Sequence, residues 1–160
     1  MICMTARQAV PGDAAELVRL RAVMLRSFDR GTSWDDDWRE PARQTLVKKL
    51  SEPEPVLTAF VVDRAGGGLA ACAVGTIEQR LGGPGDPAGR MGYVFSVVTD
   101  PDERRRGHSR ACLTALIAWF RAQGIHRVDL RASSDGEPLY ESLGFRRTAD
   151  PAMRLRLQEG

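Results

Sequence analysis

Residues 103–110 read ERRRGHSR and follow, after Pro101 and Asp102, a near-continuous apolar run, MGYVFSVVTD at 91–100. A strand, a glycine-containing turn and a helix in that order make a site for anions. The first amides of a helix have no partner inside it, and the macrodipole places partial positive charge there. A phosphate or pyrophosphate would be held by the backbone N–H groups of Arg105, Arg106, Gly107, His108, Ser109 and Arg110 acting together. Gly107 lets the backbone come close to a ligand because it has no Cβ. The side chains of Arg104, Arg105 and Arg106 then pair with outer phosphates or stay solvated. The competing chemistry is a basic patch that grips nucleic acid. The charge balance counts against it: 23 basic against 21 acidic side chains give a net charge of only +2, where a nucleic-acid binder carries a clear basic excess.

The elements that must position this loop are legible from periodicity. TARQA at 5–9 predicts a short first strand, stopped by Pro11 and Gly12. Asp13 predicts a helix start, with Glu16 as the reciprocal partner of a capping box. Leu17, Leu20, Met24 and Phe28 then fall on one helical face, and Gly31 ends it. A second helix is expected over EPARQTLVKKL at 40–50, with Pro41 in its first turn. VLTAFVVD and LAACAVGTIEQ, separated by RAGGG, predict a hairpin. The Gly- and Pro-rich loop LGGPGDPAGR leads into the apolar strand at 91–100, which reads as a central strand of the sheet. Leu113, Leu116, Ile117 and Phe120 define a third helix that stops at Gly124. HRVDLRA reads as a strand, GEPLYESLG as a short helix, and FRRTA with AMRLRL as two closing strands. The order β-α-α-β-β-β-α-β-α-β-β describes a single α/β domain over residues 1–160, with a mixed sheet and helices on both faces.

At the loop the residues resemble a family. Arg104-x-x-Gly107-x-Ser109 is similar to the acetyl-CoA signature of the GNAT superfamily of N-acetyltransferases: Gln or Arg, two residues, Gly, one residue, then Gly or Ala. Pro101, three residues before it, is also the family's usual residue. Ser109 departs from the pattern but is small, so close approach survives. LYESLGF at 139–145 resembles the later motif, in which a tyrosine precedes a Gly-Phe pair by four residues. The start, ARQAVPGDAAELVRLR, is similar as well, so the resemblance covers nearly the whole chain.

The resemblance implies a mostly antiparallel sheet flanked by helices, and acyl transfer from acetyl-CoA to an amine. An alkyl ammonium must first lose a proton, a deficit of roughly 4 kcal/mol at pH 7, which a carboxylate or an ordered water must take up. A backbone N–H near Val97, Val98 and Thr99 would bind the thioester oxygen, with the pantetheine arm lying alongside the same strand. Tyr140 would protonate the departing sulfur. Ser133 stands where many relatives carry an Asn that contacts the cofactor. The general base is open between Glu78 and Tyr93. A small-molecule primary amine is the expected acceptor, with a protein N-terminus or lysine as the alternative. Domains of this type often dimerise, and the closing strands are the expected contact.

WDDDW at 34–38 reads first as a helix N-cap with an anchoring Trp, and second as a receptor for a cationic amine through charge and cation–π contact. Cys3, Cys72 and Cys112 are an odd number without close spacing, and His108 and His126 are isolated, so neither a disulfide framework nor a metal site is expected. No apolar run has the length of a membrane span, and the N-terminus lacks the pattern of a signal peptide. A cytoplasmic location with no membrane or nucleic-acid partner is the expectation.

Overall fold

The computed structural model describes residues 5–28 and 35–158. Cys3, Gly31 and Trp34, each singled out above, lie outside the described residues. In chain order the elements are β1 (Arg7–Gln8), α1 (Ala14–Ser27), α2 (Arg39–Leu50), β2 (Leu57–Asp63), β3 (Leu69–Gln79), β4 (Arg90–Thr99), α3 (His108–Ala122), β5 (Val128–Leu130) and α4 (Glu137–Ser142). Short 3-10 turns at Pro11–Asp13 and Pro101–Glu103 lead into α1 and toward α3.

The five strands form one sheet in the order β1-β2-β3-β4-β5. Neighbours are antiparallel except β4 and β5, which run parallel. β3 is therefore the middle strand, and β4 lies between it and the short β5, one place from the centre. The first seven residues of β3 are buried in an unbroken row, which only a strand covered on both faces shows. Alternation decides which helix each residue meets. Ala71 and Ala73 face Cys112, Leu113, Leu116 and Phe120 of α3. Cys72 and Val74 face Leu17 and Leu20 of α1. Phe120 lies against two glycines: a Cβ at Gly75 or at Gly92 would come within 2.8 Å of its ring. The close seat of α3 on the sheet thus depends on the missing side chains.

β4 carries the feature that opens the site. Cys72 pairs with Val98 and Val74 with Phe95, so two residues of β4, Ser96 and Val97, oppose the single Ala73. This is a β-bulge. Ser96 takes φ 55°, a left-handed conformation unusual for serine. Arg21 donates to its hydroxyl, and the Cys72 thiol lies 3.4 Å from its carbonyl. β5 pairs with β4 only at Gly92, Tyr93 and Val94. Beyond Val94 the strands part, and among the described residues the far end of β4 has no strand neighbour on that side.

Three expectations are corrected. Residues 145–149 and 152–157 form no strand: Met153, Leu155 and Leu157 are 87%, 82% and 86% exposed. Their alternation fits a strand, but alternation yields one only where an edge and an apolar surface receive it. The expected capping box does not form, and only half of such a box is present, on other residues. The Asp13 carboxylate accepts from the Val10 amide at 2.8 Å and from Arg7, while Glu16 accepts from the Leu69 amide at 2.9 Å and from Arg19. Glu16 is thereby tied to β3 rather than to its own helix start. The central place assigned to β4 belongs to β3.

Candidate functional site

The parting of β4 from β5 opens a cleft of about 530 Å³, walled by the free end of β4, the start of α3, the end of α1 and α4. Val97, Val98 and Thr99 line it from the strand. Arg104, Arg105, Gly107, His108, Ser109 and Arg110 line it from the loop and first helical turn. Ser133 and Tyr140 close the opposite side. Eleven of the twelve residues expected at the site thus share one cleft. The exception is Arg106, whose side chain turns to Glu103 at 3.1 Å.

The loop has the form that anion binding requires. Gly107 is the N-cap of α3 at φ 79°, and a Cβ there would meet nothing within 4 Å. Arg105 is also left-handed, at φ 65°. The first helical bond runs from the Ala111 amide to the Gly107 carbonyl at 3.0 Å. The amides of His108, Ser109 and Arg110 precede it and have no helical partner. Ser109 shares a hydrogen bond of 2.6 Å with Thr99, which ties the first turn of α3 to the end of β4. The residue that departs from the family pattern therefore has a local partner. His108 is buried, with Nε2 3.0 Å from a Glu103 oxygen and Nδ1 without a partner.

Tyr140, on α4, is half-buried, and burial pushes its phenol above the ordinary value. Phe145 meets its ring edge-on at 6.0 Å between centroids. Gly136 lies beneath it, where a Cβ would come within 2.9 Å of the ring. Ser133 accepts from the Gly136 amide at 3.1 Å, so its hydroxyl helps shape the turn into α4.

The candidate bases are not brought into the cleft. Glu78 pairs with Arg80 at 2.9 Å, and Tyr93 lies opposite Thr76 and Asp129 in the paired part of β4. Asp36 pairs with Arg39, whose guanidinium lies 5.7 Å from the Trp38 ring centre, and the Asp35 carboxylate accepts from the Asp37 amide. No side chain caps α2. Cys72 and Cys112 are buried apolar thiols; burial pushes Cys112 up to about 12, so neither is a thiolate nucleophile. Among the described residues no cluster of His, Cys, Asp or Glu could hold a metal, and no helix is long and apolar enough to cross a membrane.

An ionic network beneath the loop has no signature in the local sequence. Asp100, buried at the end of β4, accepts from Arg19 at 2.9 and 3.0 Å and from Arg64 at 2.6 Å. The Arg19 guanidinium holds the Asp100 carboxyl below the usual range despite its burial. These residues come from α1, the β2–β3 turn and β4, so no local pattern links them. Glu103, Met24 and Phe28 also line the cleft and were not anticipated.

The family model described as acetyltransferase (GNAT) matches residues 20–145. The chain is similar to glucosamine 6-phosphate N-acetyltransferase of Trypanosoma brucei brucei, 37% identical over 67 residues, 42% of this chain and 45% of that protein. It is similar to mycothiol acetyltransferase of Thermobispora bispora, 42% identical over 71 residues, 42% of this chain and 24% of that protein. Each match spans less than half of the relative's length. A crystal structure of a predicted acetyltransferase with acetyl-CoA from Clostridium acetobutylicum superimposes with a TM-score of 0.81 and 25% identity over 96% of both chains. Glucosamine-6-phosphate N-acetyltransferase from Arabidopsis thaliana shares the fold, with a TM-score of 0.74 and 17% identity over 96% of this chain and 99% of that one. Because the matched region carries β4, the loop, α3 and Tyr140 together, the chain belongs to the GNAT family of acetyltransferases.

Proposed function

We propose that this chain transfers the acetyl group of acetyl-CoA to a primary amine of a small molecule. The observation that carries the proposal is the meeting of three things in one cleft: the free amides at the start of α3, the unpaired end of β4, and Tyr140. The amides of Gly107, His108, Ser109 and Arg110 suit a pyrophosphate. The open edge at Val97, Val98 and Thr99 suits the amide-bearing pantetheine arm, as a sheet edge suits an added strand. The bulge re-aims the backbone there, so that an N–H can face the thioester oxygen as charge develops on it. Tyr140 stays protonated at neutral pH and can give its proton to the departing sulfur.

The acceptor is read as small because the two curated relatives bear the names of small-molecule acetyltransferases. A protein N-terminus or lysine is the alternative acceptor. A homodimer through residues 152–157 belongs to the same proposal, supported by the exposed alternation of Met153, Leu155 and Leu157 and the open edge of β5; sedimentation equilibrium tests it. The function itself is tested by a screen of amines with acetyl-CoA, read by thiol release. Acetylation of one or more small amines, with peptide amines inert, is the expected result. Acetylation of peptides alone would move the assignment to a protein substrate.

A further inference from the structure

Three carboxylates stand on the short turn that leads into the loop: Asp100, Asp102 and Glu103. A polyphosphate docking on the amides of Gly107, His108, Ser109 and Arg110 meets Glu103, which lines the cleft; Asp102 shares the same short turn, and Asp100 is the buried residue at its start. Like charges at this spot would oppose the ligand that the helix start attracts. One cation from outside the loop meets all three. Arg64, at the β2–β3 turn, donates to Asp100 at 2.6 Å, to both oxygens of Asp102 at 2.9 Å, and to Glu103 at 3.4 Å. Its own backbone is fixed by the hairpin, where its amide donates to the Gly68 carbonyl at 2.9 Å. Arg64 does not line the cleft. Whatever it does for a ligand, it does through the acidic segment.

That segment is also mechanically linked to the loop. Glu103 accepts from Arg106 at 3.1 Å and lies 3.0 Å from His108 Nε2, bridging the turn from one end to the other. Arg64 thus grips the near end of a strap that spans both left-handed residues, Arg105 and Gly107.

We infer that Arg64 is a positioning residue for the acyl donor: it pins Asp100, Asp102 and Glu103 together and adds the positive charge that Arg19 at Asp100 and Arg106 at Glu103 leave short, so that the loop can present its amides to a polyphosphate with less repulsion. The inference rests on the proposal that the cleft takes acetyl-CoA. It assigns to a side chain of the β2–β3 hairpin a part in binding a ligand that it does not touch.

Calorimetric titration with CoA at low and high salt tests it. At about 0.05 M NaCl, Arg64→Gln should weaken CoA binding about tenfold, the effect of one uncompensated charge near a polyanion. At about 0.5 M NaCl, where the Debye length falls to about 4 Å, the deficit should shrink to about threefold or less. Arg64→Lys should recover part of the loss. Adding Asp102→Asn to Arg64→Gln restores the local charge and should also recover affinity. Binding by Arg64→Gln equal to wild type at low salt would overturn the inference. So would a deficit that persists at high salt and in the double variant, because that is the mark of a merely structural role. A wild-type protein that fails to bind CoA at either salt would remove the parent proposal and this inference together, a result distinct from the other two.

Discussion

Replacing Tyr140 with phenylalanine separates chemistry from packing. The ring keeps its edge contact with Phe145 and its close approach to Gly136, because both involve ring carbons that phenylalanine shares. The lost hydroxyl has no protein hydrogen bond among the described residues, so nothing buried is left unpaired. Stability should therefore change by no more than about 0.5 kcal/mol. For a chain of 160 residues that is a shift in Tm of about 2 °C or less. If the phenol is the acid that protonates the departing thiolate, the chemical step should slow by about 10²–10⁴-fold, or about 3–5 kcal/mol of barrier. The affinity for CoA should stay within about threefold, since the amides that carry binding are untouched. The assay is a single-turnover rate with saturating amine, so that product release cannot mask the step, alongside a thermal melt. Burial raises the phenol above its ordinary value, so any alkaline fall in the wild-type rate that reports Tyr140 should lie at higher pH than the titration of a free tyrosine. A single-turnover rate within about threefold of wild type, with Tm unchanged, would refute the assignment of Tyr140 as acid.

Three further outcomes follow from the same geometry. Arg105→Gly removes a side chain from a left-handed position that disfavours it by about 1–2 kcal/mol. If the backbone carries the ligand, CoA affinity should stay within about threefold, and a loss beyond tenfold in a titration would make the side chain the ligand. Gly92→Ala places a Cβ 2.8 Å from the Phe120 ring and should destabilise the fold by about 1–3 kcal/mol, read from a urea midpoint. Asp100→Asn tests the network under the loop. The Asp100 carboxyl is held low in the folded state, so on acidification the unfolded chain binds that proton first. Its contribution is present above about pH 4 and is lost as pH falls through the folded value. The variant should be about 1.5–3 kcal/mol less stable at pH 7, and its stability should fall less steeply below pH 4.

The parts legible in the sequence are those that local physics specifies. β3 matches its predicted span because a row of small apolar residues, bounded by Gly68 and the polar Gln79, can be little else. α3 follows from the spacing of Leu113, Leu116 and Phe120, and the loop from Gly107. What escaped is what only the tertiary fold creates. Arg64 and Asp100 are 36 residues apart, and neither type is unusual where it stands. The bulge at Ser96 and Val97 has no signature, since one extra residue in an apolar strand leaves its composition unchanged. The closing strands do not form although AMRLRL has the right alternation, because among the described residues it pairs with no sheet edge of this chain. Tyr93 fell on a strand position paired on both sides, and Glu78 on one paired with Met91, both away from the opening that β5 leaves.

The central claim is that the start of α3 and the free end of β4 hold the acyl donor. An amide ¹H–¹⁵N spectrum titrated with CoA tests it most directly. The account predicts the largest shifts at Gly107, His108, Ser109 and Arg110, with a second set at Val97, Val98 and Thr99, saturating at one CoA per chain. Saturable shifts centred elsewhere, or a spectrum that CoA leaves unchanged while duplex DNA perturbs it, would contradict the account.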